Sequence, residues 1–141
     1  MYRIVIDTRE QNGYSFSVPT VRRKLNAGDY SVEGFEERVA VERKSLPDFV
    51  RTVIHARRRF HAELRRLARY EFACVVVEGS QQDIQTGKYP GRAHPNAILG
   101  SATSICVDWG IPVHFCGNRQ TARQFVEEFL LQCHAKLNPH P

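Results

Sequence analysis

Three charged residues hold the chemistry that this sequence could perform. They lie in AGDYSVEGFEERVAVERK, residues 27–44, with Asp29 in one short strand-like run and Glu42 and Lys44 in the next. A Gly-containing turn region, Glu33-Gly34-Phe35-Glu36, separates the two runs. Side chains alternate faces along a strand, so Glu42 and Lys44 share one face while Val39, Val41 and Arg43 point the other way. A hairpin of these two strands brings Asp29 against Glu42 and Lys44, and two carboxylates and an ammonium then converge. Mg²⁺ is usually held by one or two carboxylates together with waters and substrate phosphate oxygens. A metal so held polarises a phosphoryl oxygen and lowers the pKa of a bound water. A lysine beside it orients the water or offsets charge that develops in the transition state. A bare Glu-x-Lys tripeptide is, on its own, an ordinary solvent-facing pair. The company of Asp29 is what singles this one out.

The surrounding chain sets limits. Its 141 residues suit one domain and suffice for a real core. The net charge of +5 and the pI of about 9.3 favour a polyanionic partner. No run is long and apolar enough to span a membrane, and MYRIVIDTRE lacks the shape of a signal peptide. The expectation is a cytoplasmic protein in a reducing interior, nucleoid-associated in a bacterium, with no membrane partner. The four cysteines, Cys74, Cys106, Cys116 and Cys133, form no CxxC pair and sit in apolar surroundings, which predicts buried free thiols. The six histidines are scattered and form no metal-binding pattern.

The elements that must position the acids can be read in order. Residues 3–10 begin as a strand, IVI, and end in the charged cluster Asp7-Thr8-Arg9-Glu10. Gln11-Asn12-Gly13 is a turn, and residues 14–18 alternate as a short strand or extended arm before Pro19. Residues 21–32 have a mixed pattern, with Gly28 as a bend or bulge. After the strand 38–44, Ser45 suits a helix N-cap, with Pro47 and Asp48 in the first turn. A second helical stretch covers 56–70 with a buried stripe of Phe60, Leu64, Leu67 and Ala68. Arg57, Arg58, Arg59, Arg65, Arg66 and Arg69 surround that stripe, either as a solvated face or as contacts to a phosphate backbone. ACVVVEG is a buried strand. Residues 81–95 read as a loop that includes Lys88, Tyr89 and Arg92, either a track for a nucleic-acid strand or a plain connection. A helix follows over 96–109 with Cys106 on its apolar side, then Gly110 as its stop, a strand over 111–115 and a helix over 121–137. The last helix carries the apolar stripe Phe125, Phe129, Leu130, Cys133 and Leu137. The result is an α/β protein with a mixed sheet, one domain over 1–137 and a frayed tail over 138–141.

GDY at 28–30 followed by VERKSLPDF at 41–49 resembles the GD…ERKxxxD pattern of the XPF-type structure-specific endonucleases. IVIDTRE matches that family's opening DxRE segment. RFHAELRRL, VVVEGS and GIPVHFCGNRQTA are similar to later family segments, so the likeness covers nearly the whole chain. It implies a restriction-endonuclease-like (PD-(D/E)xK) fold, a central mixed β-sheet flanked by helices. It also implies metal-dependent cleavage of branched, flap or fork DNA in repair or recombination, with Mg²⁺ or Mn²⁺ as cofactor. Carried over by position, Asp29 and Glu42 hold the metal and Lys44 acts on the water or the scissile phosphate. Asp7 stands beside the metal site, Arg43 and Arg9 support the site or contact phosphate, and Asp48 stands behind it. Arg58, Arg59, Lys88 and Arg92 join Arg9 as nucleic-acid contacts. The family's tandem helix-hairpin-helix module has no counterpart here, so the chain resembles single-domain members expected in bacteria and phages. A homodimer or a protein partner is a further implication, and the last helix serves either that pairing or the core. The alternative in another class is a catalytically idle DNA-binding module of the same fold.

Overall fold

The computed structural model describes residues 2–139. Its strands are β1 (Ile4–Ile6), β2 (Thr20–Arg22), β3 (Tyr30–Val32), β4 (Val39–Ser45), β5 (Phe72–Glu78) and β6 (Val113–Phe115). Its helices are α1 (Leu46–His55), α2 (Arg57–Leu67), α3 (Gln81–Gln85), α4 (Pro95–Trp109) and α5 (Arg119–Leu137). The strands form one sheet in the order β2-β1-β3-β4-β5-β6. β1, β3 and β4 pair antiparallel, whereas β2 runs parallel to β1 and β4, β5 and β6 run parallel to one another. The mixed sheet is therefore as expected, and helices cover both faces.

The alternation of β4 divides the core in two. Ala40 belongs to the cluster made with Phe49 and Val53 of α1, Leu64 and Leu67 of α2, and Ile98 of α4. Val39 and Val41 belong to the cluster made with Val126 and Leu130 of α5 and with Tyr14 from the arm before β2. β5 is fully buried over Cys74–Val77, as its β-branched run requires in a central position. Burying side chains of this size stabilises by about 1.5–3 kcal/mol each, before chain entropy is counted.

Several local expectations hold in detail. Ser45 caps α1, its side chain accepting the Asp48 N–H at 3.2 Å, with Pro47 in the first turn. Gly110 ends α4 in the left-handed region at φ +67°. The α2 stripe Phe60, Leu64 and Leu67 is buried, while Ala68 is exposed just past the helix end.

Others are corrected. Of the two readings of 14–18 the strand falls away, leaving an arm; the edge strand is β2, which begins after Pro19. The stretch 81–95 is not wholly loop, because α3 starts there on a reciprocal cap between Ser80 and Asp83. α5 starts at Arg119 rather than at residue 121, since Asn118 and Thr121 cap it in the same reciprocal way. Its buried stripe is Ala122, Val126, Leu130 and Cys133, with Phe125, Phe129 and Leu137 only partly buried. The small residues face the sheet because a 19-residue helix packed flat on strands leaves little room at its line of closest approach. All four cysteines are free thiols, but Cys106 is exposed on α4 and Cys116 is half-buried. Asn138 caps the end of α5, and residues 140 and 141 of the expected tail lie outside the described residues. Among the described residues no helix is long and apolar enough to cross a membrane.

Candidate active site

β3 and β4 are neighbours, and Tyr30 stands opposite Val41. Asp29 precedes β3 by one residue and is held by the sheet on both sides. Its N–H donates to Val41 O at 2.7 Å, and its carbonyl accepts the Asp7 N–H at 2.9 Å. Gly28 makes this approach possible. It sits at φ +78°, and a Cβ there would lie 2.9 Å from Val41 O. No other residue fits that combination without strain. The Asp29 carboxylate is then fixed from β4, because Oδ2 accepts the Arg43 N–H at 2.7 Å.

Asp29 and Glu42 line one cleft of about 400 Å³, together with Asp7, Arg9, Lys24 and Glu63. α2 contributes Glu63, Arg66 and Leu67 to its wall, and the segment 24–29 contributes the other wall. Lys44 Nζ stands 3.5 Å from Glu42 Oε2 and 5.8 Å from the centre of the Phe60 ring. Burial pushes the Asp29 carboxyl up to about 7, against the pull of the Arg43 N–H. Glu42 is raised well above the usual carboxylate range, first by burial and then by the charge of Asp29; Glu63 adds to the rise and Lys44 opposes it. Two acids that resist ionising together leave the cleft short of positive charge.

Asp7 behaves differently. It is 2% exposed. Its Oδ2 accepts Arg9 Nε at 2.9 Å, and its Oδ1 accepts the Leu25 N–H at 2.8 Å. Burial alone would raise its pKa, but the Arg9 guanidinium and the Leu25 and Arg9 N–H groups bring it below the usual value. Asp7 thus spends its oxygens on fixing Arg9, whose Nη2 also donates to Leu25 O at 2.8 Å. It borders the cleft, but it offers an incoming cation far less than Asp29 or Glu42 does.

Arg43 supports the site without entering it. Its backbone holds Asp29, while its side chain points to the α5 face of the sheet, as strand alternation requires. There the guanidinium pairs with Glu78 at 2.8 Å and Glu10 at 3.4 Å and lies over the Tyr14 ring at 5.2 Å. A phosphate contact from Arg43 is excluded by that placement. Asp48 lies at the exposed start of α1, where Arg51 is its ion-pair partner; Arg51 first, with smaller help from Ser45 and the Lys44 charge, holds its carboxyl below the usual value.

Of the residues expected to touch nucleic acid, Arg9 borders the cleft. Arg58, Arg59, Lys88 and Arg92 are exposed and lie outside its lining. Two cleft residues escaped the sequence reading, Lys24 and Glu63, whereas Arg66, one of the six arginines read around the α2 stripe, lines the cleft. Glu63 had a signal, being the lone acid in the otherwise basic α2 sequence RRRFHAELRRL. Its Oε2 is buried without a hydrogen-bond partner. Lys24 gave none, because its position depends on how the segment before Gly28 folds over β4.

The donor set fits a hard divalent ion of the Mg²⁺ type. Asp29 and Glu42 supply two carboxylates, which is the usual protein share at such a site, and the charge they place in one cleft calls for a cation. Among the described residues no group of three or more His, Cys, Asp or Glu side chains is arranged to hold a metal by itself. Any remaining ligands must come from water or from a bound phosphate.

An ERCC4-domain family model matches residues 6–129. The chain belongs to the ERCC4-domain family. The match runs from the last residue of β1 into α5 and so takes in every cleft residue named above. A putative ATP-dependent RNA helicase of Methanocaldococcus jannaschii is 33% identical over 121 residues, covering 84% of this chain and 14% of the relative. A 3′-flap repair endonuclease Xpf of Saccharolobus solfataricus is 29% identical over 133 residues, covering 89% of this chain and 53% of the relative. The chain thus spans about half of the second relative and far less of the first. Two structures of XPF from Aeropyrum pernix share the fold. One superposes with a TM-score of 0.75 at 22% identity, covering 97% of this chain and 67% of that one. The other, in complex with DNA, superposes with a TM-score of 0.72 at 20% identity, covering 96% and 66%. The ERCC4-domain chain therefore has the restriction-endonuclease-like architecture of XPF.

Proposed function

We propose that this protein is a DNA endonuclease that hydrolyses phosphodiester bonds with the help of Mg²⁺ or Mn²⁺. The observation that carries the reading is the pair Asp29 and Glu42 in one cleft with Lys44 beside Glu42, inside the segment matched to the ERCC4 domain. Asp29 and Glu42 would hold the ion. When bound, such an ion polarises the scissile phosphoryl group and lowers the pKa of a water.

The chain's own residues do the rest. Arg43 N–H occupies one Asp29 oxygen, which leaves the other for the ion. Lys44, held between Glu42 and the Phe60 ring, presents N–H donors to a phosphate oxygen or to the attacking water. Arg9, clamped by Asp7, offers a fixed guanidinium edge to a phosphate. Arg58, Arg59, Lys88 and Arg92 would meet the backbone farther from the cut.

The substrate class is DNA with a flap or fork. It is supported by the Saccharolobus relative, which bears the name of a 3′-flap repair endonuclease, and by the Aeropyrum fold, which has been seen with DNA. The test is cleavage of end-labelled flap, fork and plain duplex DNA with Mg²⁺, with Mn²⁺ and with EDTA. Metal-dependent cutting that Glu42→Gln abolishes while binding persists is the expected result. Binding without cutting under every condition would instead identify an idle DNA-binding module.

A further inference from the structure

The cleft that holds Asp29 and Glu42 is lined by four acids, Asp7, Asp29, Glu42 and Glu63. A nucleic-acid strand brings more negative charge to it. A single divalent ion neutralises only the phosphate at the point of cutting, so the neighbouring phosphates need cations of the chain. Arg9 spends Nε and Nη2 on Asp7 and Leu25 O, which leaves its remaining edge for one phosphate, and Lys44 stands beside Glu42. Two cations remain in the lining, Lys24 and Arg66. Both are exposed. Among the described residues neither makes an ion pair, and none of the side-chain hydrogen bonds involves them.

Their settings differ from an ordinary solvated surface. The chain neighbours of Lys24 are tied down: Arg23 to Glu33 and Glu36, the Leu25 N–H to Asp7, and Asn26 to Glu37. The backbone under Lys24 is therefore fixed while its ammonium is left without a partner. Arg66 rises from the opposite wall, anchored by its buried neighbours Leu64 and Leu67 on α2. One point charge and one forked guanidinium thus line the same acidic cleft, one from the segment before Gly28 and one from α2.

We propose that Lys24 and Arg66 grip the phosphates on either side of the scissile one, so that the cleft takes at least three successive phosphodiesters of the cut strand. The inference rests on the endonuclease reading and assigns how that site holds its substrate. Lys24 and Arg66 bind; they do not take part in the bond-breaking step.

The experiment separates the two ideas. Binding to a fluorescent flap DNA is measured by anisotropy in the Glu42→Gln background over a series of KCl concentrations. Lys24→Ala and Arg66→Ala are each expected to weaken binding about 5- to 10-fold. Each should lower the slope of log K against log salt by about one, the loss of one phosphate contact. In the active protein KM rises by a similar factor while kcat at saturating DNA stays within about twofold. Lys136→Ala, which removes an equal charge from the exposed end of α5 on the other face of the sheet, changes neither. If the parent protein binds and cuts DNA but the Lys24→Ala/Arg66→Ala double variant keeps the parental affinity and salt slope, the grip is refuted. A fall in kcat with unchanged affinity refutes it too. A parent protein that neither binds nor cuts DNA overturns the endonuclease reading itself.

Discussion

Asp29→Asn should stabilise the metal-free fold at pH 8. The Asp29 carboxyl is raised from an ordinary value of 3.8 to about 7, so the folded state binds a proton that the unfolded state has already lost. Between those values stability falls as pH rises, because the unfolded state binds fewer protons. Above pH 7 the whole penalty is present, and below the unfolded value it is absent. The shift of about 3 units corresponds to roughly 4 kcal/mol at 1.36 kcal/mol per unit. That figure is an upper value, since part of it is repulsion from Glu10, and the Asp29 charge in turn raises Glu42. Asparagine keeps an oxygen for the Arg43 N–H and loses only the charge. The expected gain is about 2–4 kcal/mol. At about 3 °C per kcal/mol for a domain of this size, Tm should rise by roughly 6–12 °C. Thermal melts followed by circular dichroism in EDTA, for both proteins at pH 8 and pH 4, measure it. The difference between the proteins should be largest at pH 8 and shrink towards zero at pH 4. Added Mg²⁺ should raise Tm in the parent more than in the variant. A destabilised variant at pH 8, or a difference that does not change with pH, would show that Asp29 carries no such burden.

Glu63→Gln removes a charge that helps to raise Glu42, so the acid limb of the kcat–pH profile should move to lower pH; a profile that stays in place would separate Glu63 from the site. Gly28→Ala forces a side chain into the left-handed region and against Val41 O, and should cost about 2 kcal/mol or more in urea denaturation, with a larger loss of cleavage because Asp29 is displaced. Glu78→Ala leaves the Arg43 guanidinium with Glu10 alone in a site where it is only 14% exposed; a loss of about 3 kcal/mol is expected, and a change below 0.5 kcal/mol would refute the network's role.

Much of the site was legible because strands alternate. The period of two separates Glu42 and Lys44 from Arg43 without any structure, and β4 obeys it. The caps at Ser45 and Gly110 were legible because each residue type answers one backbone need. What escaped depended on tertiary approach. The cap of α3 on Ser80 uses Asp83 where Glu or Gln is the commoner partner, so the turn read as loop. The face that α5 buries was misjudged because large apolar residues drew attention, whereas close packing on the sheet selects Ala122 and Val126. Asp7 lies at a strand end among charges, and only the folded segment around Leu25 shows that its oxygens are already taken.

β4 serves two purposes through its two faces. On the side of α1 and α2 it carries Glu42 and Lys44, whose charges work best where water is scarce. On the side of α5 it carries Arg43, whose guanidinium is fastened to Glu78 on β5 and to Glu10 beyond β1. The residue between Glu42 and Lys44 is thus bolted to both flanks of the sheet. Because the backbone N–H of that same residue holds Asp29, the fastening on one face sets the aim of the acid on the other. Loosening Glu78 should therefore disturb cleavage through Asp29 even though Glu78 never meets the cleft. Replacing Glu78 with Gln, which preserves shape but turns one of the two oxygens that accept from the Arg43 fork into an N–H donor and halves the charge around Arg43, should lower Mn²⁺ affinity in an electron paramagnetic resonance titration by several-fold. Unchanged Mn²⁺ affinity in a folded Glu78→Gln protein would show that the two faces of β4 act independently.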